Sequence, residues 1–326
     1  MSTTEYPKVH TPKVLGAEYV ELMLSVIAPF WIIYFIYLLR RPFFHLNLRI
    51  LLVNFSLSLM LVVLTRIPII LASHIQIPLE WQLFFHGLHE TGVYTIIDGS
   101  VLLAAERLVA TCLVRKYERI RKWWITVALC LGLWLVNAIC AVIVVENVKT
   151  KRYKKYFPAL TSVFSVLVAF NCLGVLVLLV VNRLNKKRWR LDLQKNLSHR
   201  YQIMENVRTS KQLLTAAIFD LFISFYYFAV VIVRMEKRFE RDWEIDVLGQ
   251  VFDLSCAILA FLVPCLFIRS NSRVLVMVKT HFRMRKKARV DQHREGVHPA
   301  REAVEKETDV YFNQLTTSWD RIRTSL

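Results

Sequence analysis

Hydrophobic residues in this chain come in long blocks, separated by short polar stretches rich in lysine and arginine. Such blocks are too long for the alternation of a strand or for the single apolar stripe of a surface helix. Residues 123–145 and 156–182 contain no charged side chain at all. A hydrocarbon core about 30 Å thick requires about 20 apolar residues of helix. Seven segments meet that length: 20–39, 50–72, 83–114, 124–145, 159–181, 213–233 and 247–268. The pattern predicts an all-α membrane protein, a seven-transmembrane helix bundle over residues 20–268. The third segment is longer and more polar than one crossing needs, so its outer turns are expected to stand in a watery vestibule. Residues 1–18 are polar and lack an apolar signal-peptide core, so the first span is expected to initiate insertion itself.

Composition agrees with this division. The chain has 326 residues, 55% of them hydrophobic, yet 43 Lys+Arg outnumber 25 Asp+Glu for a net charge of +18. A nucleic-acid-binding protein shares the basicity but not the charge-free runs. With 8 glycines and 9 prolines, collagen-like and low-complexity classes are excluded. The cations are unevenly placed. Connections one, three and five together with the segment after the last span hold 25 of them, the opposite side 11. By the positive-inside rule the N-terminus lies outside and the C-terminus inside. Residues 1–19 are then an extracellular N-terminus and 290–326 a cytoplasmic tail, with a short helical stretch at 300–307. The basic cluster from Lys149 to Lys155 falls on the outer side and runs against the rule.

The six cysteines, Cys112, Cys130, Cys140, Cys172, Cys256 and Cys265, all fall within or at the inner edge of spans, so they are read as small packing residues. The two glycosylation-type triplets, beginning at Asn54 and Asn196, lie within a span and on the inner face, where neither is expected to be used.

Ionisable residues inside a bilayer cost a few kcal/mol or more, so each asks for a partner or a cavity. Arg66, Glu90, Asp98, Glu106, Arg107, Asp220 and Asp253 are in this position. A rise of about 1.5 Å per residue, measured from the nearest inner-face charge or predicted span end, places Arg66, Asp98 and Asp253 near one level, about 24–25 Å up. The expectation is a cluster with Arg66 between the two carboxylates, either a structural salt bridge or the floor of a ligand pocket. Lower down, Arg107 and Asp220 both lie about 12 Å above the inner face, an arrangement that suits an interhelical latch. His86, Glu90, Tyr94 and Asp98 recur every four residues on the third helix, a stripe expected to face the bundle interior. The order of His86, His89 and Glu90 fits no zinc-helix motif, and no other span contributes a histidine, so no metal and no cofactor are expected.

On the inner face, the segment from Asn185 to Arg190 mixes cations with Trp189, as a headgroup-level loop does. From Ser198 to Val233 there is no glycine or proline. Ser198 is a suitable cap for a helix of about 36 residues, about 54 Å long, projecting from the membrane as a lever. Residues 269–289 alternate aliphatics with cations and predict a basic amphipathic juxtamembrane helix held by anionic lipid.

The stretch from Leu197 to Asn206 resembles the signature before helix six in nematode serpentine chemoreceptors of the Sra superfamily. Glu106-Arg107, Ala110-Thr111, Tyr117-Glu118 and the His45-Leu-Asn47-Leu48 run resemble the class epsilon (Sre) branch. The resemblance implies a seven-helix G-protein-coupled receptor of the plasma membrane, in a sensory cilium, that detects small molecules and signals through a heterotrimeric G protein. The switch and coupling candidates are Glu106, Arg107, Tyr117, Arg200, Tyr201, Gln202, Glu205 and Asn206, on the residues that carry the resemblance, with Asp220 added by its level opposite Arg107. The pocket candidates stay Arg66, His86, Glu90, Tyr94, Asp98 and Asp253. The Glu106-Arg107 doublet and Pro264 also resemble features of rhodopsin-like receptors, but Leu108 and Val263 depart from that pattern. No outer-loop cysteine is present to tie down helix three. A transporter or channel is the alternative; against it stand the absence of a repeat and the few prolines within spans (Pro29, Pro68, Pro264). A membrane enzyme ranks third, since only acids are clustered.

Overall fold

In the computed structural model, residues 12–41, 44–72, 74–75, 77–113, 123–149, 153–191, 197–235, 242–270 and 272–281 are described. They form eight helices: α1 (Pro12–Leu39), α2 (Leu46–Ala72), α3 (Leu79–Cys112), α4 (Trp123–Lys149), α5 (Tyr153–Leu191), α6 (Leu197–Met235), α7 (Asp242–Ser270) and α8 (Ser272–His281). The first seven belong to one compact unit ending at Leu275; a second unit begins at Val276, within α8. The rest of the expected juxtamembrane helix, the tail and its 300–307 stretch lie outside the described residues, as does Tyr117.

Helices α1, α2, α4, α5, α6 and α7 are long and apolar enough to cross a membrane. Helix α3 is as long but carries too many polar groups to join them by hydropathy, and the packing explains why. It contacts α2, α4, α5 and α6 at once, and residues from Thr91 to Ile97 are buried on every side. A helix with no lipid-facing surface does not need an apolar exterior. Around it, α1 packs on α2 and α7, α7 on α6, α6 on α5, α5 on α4, and α4 back on α2, closing a ring. Helix α4 is the opposite case: only 17% of its apolar window is buried, so Leu129, Leu131, Leu135, Val136 and Val142 face outward.

Between helices in lipid, apolar surface gives no burial advantage, so close approach and hydrogen bonds hold the seams. At Gly92 the α2–α3 approach is tight: an added Cβ would stand 2.7 Å from Val62 Cγ2 and 3.3 Å from the Ser58 carbonyl oxygen. Trp134 Nε1 donates to Asn54 Oδ1 at 2.8 Å, tying α4 to α2. Asn185 donates to Thr111 Oγ1 at 2.9 Å, tying α5 to α3, and Tyr226 donates to the Leu248 carbonyl at 3.0 Å, tying α6 to α7. Hydroxyls with no partner on a neighbouring helix fold back on their own, as Ser56 does to Leu52 and Ser58 to Asn54. Pro29, Pro68 and Pro264 all lie inside helices.

One expectation needs correction: residues 185–190 are not a loop but continue α5, and Asn185 is fully buried. Helix α6 is 39 residues long, as the absence of glycine and proline predicts, and α5, equally long, packs along it.

Candidate functional site

The ion-paired side chains gather at two ends of the bundle, with Asp98 and Asp220 between them. Near the start of α1, Glu21 is fully enclosed, and Arg66 on α2 reaches it with two nitrogens, Nε to Oε1 at 2.6 Å and Nη2 to Oε2 at 3.2 Å. The same Nη2 lies 2.8 Å from Asp253 Oδ2 on α7. The planar guanidinium suits such two-sided bridging, which a lysine ammonium does not reproduce. Gln250, one turn before Asp253, donates to Glu21. His89 on α3 completes the ring: its Nε2 is 3.3 Å from Asp253 Oδ1, and its Nδ1 lies 3.4 Å from Thr65 Oγ1. One network thus joins α1, α2, α3 and α7.

Beside it, Tyr227 of α6 donates to Glu90 Oε2 at 2.7 Å. Tyr94, one turn further along α3, is buried and lies next to the same carboxylate. Its ring meets Phe164 edge-on at 5.6 Å, Phe164 meets Tyr227 at 5.2 Å, and Tyr227 meets Phe252 at 4.4 Å. His86 is exposed one turn above Glu90. Of the expected pocket residues, Arg66 and Asp253 come together, with Glu90 and Tyr94 next to them.

Asp98 does not join them, so the expected Arg66–Asp98 pairing is incorrect. It lies nine residues beyond His89, about 13 Å along the axis, beside Asn137 of α4. The error came from taking inner-face charges and predicted span ends as helix ends. Counted from the observed ends at Leu46 and Cys112, Arg66 stands about 30 Å up and Asp98 about 21 Å.

At the other end, Arg107 is buried and bonded to Glu106 through Nε and Nη2. Its Nη1 donates to Asn206 Oδ1 at 3.2 Å and Thr209 Oγ1 at 3.1 Å, both on α6. The α3–α6 tie therefore exists, but its partner is not Asp220. That carboxylate lies 11 residues further along α6 than Thr209, about 16 Å away, and accepts from Asn171 Nδ2 of α5 at 2.9 Å. Asn171 in turn accepts from Ser100 Oγ at 3.2 Å and donates to Ser224 Oγ at 3.1 Å. Two small internal spaces border Asp220, one toward Leu52 and Phe267, the other toward Val93 and Phe252. Arg200, Tyr201, Gln202 and Glu205 fall on the helical start of α6, with side chains outside the described set.

Glu21, His89, Gln250, Tyr227, Asn171 and Thr209 were not anticipated as site residues. Glu21 is one residue inside the expected start of span one, where an acid passes for a headgroup contact. The real helix begins at Pro12, which sets Glu21 almost three turns in. His89 was visible in the sequence but weighed only as a metal ligand. Asn171 gave a usable signal, an amide in the middle of an otherwise apolar span.

A ring of long apolar helices around one polar helix, with ionisable side chains bonded inside it and no strand among the described residues, defines an integral membrane protein of the serpentine type. The chain belongs to the Sre G protein-coupled chemoreceptor family, whose model matches residues 71–320. It is 24% identical over 270 residues to serpentine receptor class epsilon-1 of Caenorhabditis elegans, covering 78% of this chain and 69% of the relative. It is 22% identical over 242 residues to serpentine receptor class epsilon-27 of the same organism, covering 70% of this chain and 62% of the relative. The family is one of receptors, not of enzymes.

Proposed function

We propose that this chain is a chemosensory receptor of the plasma membrane, in a sensory cilium, with its N-terminus outside. A small molecule enters between α2, α3, α6 and α7, and the cytoplasmic ends of α3, α5 and α6 pass the signal to a heterotrimeric G protein. The basic inner ends, including α8, rest against anionic lipid. One observation carries the proposal: α3 and α6 are bonded to each other at both ends, through Glu90–Tyr227 and through Arg107–Asn206/Thr209. The two bonds are 17 residues apart on α3, about 26 Å. A ligand that breaks or tightens the first bond tilts the helix pair, and the second must respond. This is the rigid-body coupling by which packed bundles switch between discrete states.

The test is nucleotide exchange on purified G proteins mixed with the receptor in nanodiscs, with and without small-molecule pools. Ligand-dependent exchange supports the proposal. Failure of every pool and every G-protein class, with basal exchange unmoved by Arg107→Ala, overturns it.

A further inference from the structure

The network at the α1-start end is short of positive charge. Arg66 is shared by Glu21 and Asp253, and Glu90 adds a third carboxylate whose direct bond is from a neutral phenol. Other titratable groups facing this cluster are His89, on Asp253 at 3.3 Å and also acting on Glu90, His86, which acts on Asp253 at longer range, and the Cys256 thiol beside Arg66 and Asp253. With all three carboxylates ionised and both imidazoles neutral, the cluster carries two excess negative charges; protonating His89 leaves one, and protonating His86 as well leaves none. Desolvated charge of one sign calls for a counter-ion.

The surroundings of Glu90 are aromatic. Tyr227 and Tyr94 adjoin Glu90, and with Phe164 and Phe252 they form one contiguous aromatic group drawn from four helices. Tyr94 is 2% exposed, and its hydroxyl stops beside Glu90 without closing a well-formed hydrogen bond. Glu90 and Tyr227 are themselves only half-buried. A small space lined by Val93, Ile96, Asp220, Phe252 and Cys256 borders the same ring group at Phe252. A carboxylate set among aromatic faces is the chemistry that holds an organic ammonium, by charge and by cation–π attraction together.

Resting on the receptor reading above, we infer that the ligand is a small organic cation, a protonated amine or quaternary ammonium, held by Glu90 within the Tyr94–Phe164–Tyr227–Phe252 group. A neutral ligand leaves the excess charge uncompensated, and an anion adds to it.

The test uses the full chain in nanodiscs with three probes of matched shape: phenethylammonium, 2-phenylethanol and phenylacetate. Binding is followed by thermal shift and by equilibrium dialysis. The ammonium is expected to bind at least tenfold more tightly than the alcohol, and the carboxylate not at all. Glu90→Gln abolishes the preference for the ammonium, Glu90→Asp keeps it, and Tyr227→Phe keeps it with weaker binding. Equal binding of ammonium and alcohol overturns the inference, as does no ammonium binding at millimolar concentration. So does unaltered preference in Glu90→Gln. Should Glu90→Gln fail to fold, the preference of the unmodified chain decides alone. G-protein exchange separates the two readings. If the ammonium binds while every pool fails to evoke exchange and Arg107→Ala leaves basal exchange unmoved, the receptor reading falls and the ligand class stands; exchange evoked only by the alcohol or the carboxylate does the reverse.

Discussion

Arg66→Ala is the most telling single change. It strips one guanidinium from two carboxylates at once, with Glu21 0% and Asp253 13% exposed at the side chain. Water has little access to replace it. Breaking a buried ion pair by removing one member costs about 3–5 kcal/mol, because the remaining charge is left desolvated. Each carboxylate here keeps one other partner, Gln250 for Glu21 and His89 for Asp253. The loss should therefore fall near the lower end, about 3 kcal/mol, which is about a hundredfold in the unfolding equilibrium. If desolvated charge is the cause, neutralising the acids as well should undo much of it. The triple variant Arg66→Ala, Glu21→Gln, Asp253→Asn is expected to recover most of the stability lost in the single one. Arg66→Lys should fall between, since one ammonium cannot face two acids with three bonds. Unfolding can be followed in nanodiscs by a thiol-reactive dye, because Cys130 and Cys256 are buried until the helices part. An Arg66→Ala variant as stable as the parent refutes the reasoning. A triple variant worse than the single one would show that the bonds matter and the stranded charge does not.

Asn206→Ala with Thr209→Ala removes both α6 acceptors of Arg107 and is expected to raise basal nucleotide exchange; an unchanged basal rate rules out a latch at this position. Asn171→Ala leaves Asp220 without its amide donor and should cost about 1–3 kcal/mol in the same thiol assay, while Asp220→Asn should be tolerated better, because an amide carries no charge to strand. Gly92→Ala presses a methyl against Val62 and the Ser58 carbonyl and should cost about 1–3 kcal/mol; a neutral result would mean that α2 and α3 slide apart freely. Each of the last two is measured against Leu135→Ala, an outward-facing change on α4.

The seven helices were legible because hydrocarbon thickness imposes a length that few other constraints imitate. The polar character of α3 was legible as well, though as an anomaly, and only packing turns it into a consequence of the central position. What stayed hidden was pairing. Side-chain partners depend on axial level to within one turn, and level was measured from cationic residues and predicted span ends, not from helix ends. Arg66 and Asp98 then came out level when the helices set them about 9 Å apart. Glu21 escaped for a related reason: an apolar-block boundary says where hydrophobicity begins, not where the helix does.

The same accounting shows how the far end of the bundle is built. Thr111 is one residue from the end of α3 and bonds Asn185, beyond which α5 continues six residues to Leu191. That is an overhang of about 8 Å. Independently, Arg107 is five residues from the end of α3 and bonds Asn206 and Thr209, which lie nine and twelve residues into α6. Subtracting the shared depth leaves α6 overhanging by about 6–10 Å. The two figures agree although they come from different bonds on different helices. Helices α5 and α6 therefore extend together about one to two turns past α3, packed along each other. A tilt of α6 would carry α5 with it, so a switch at this end would move the α5–α6 pair about its bonds to Arg107 and Thr111.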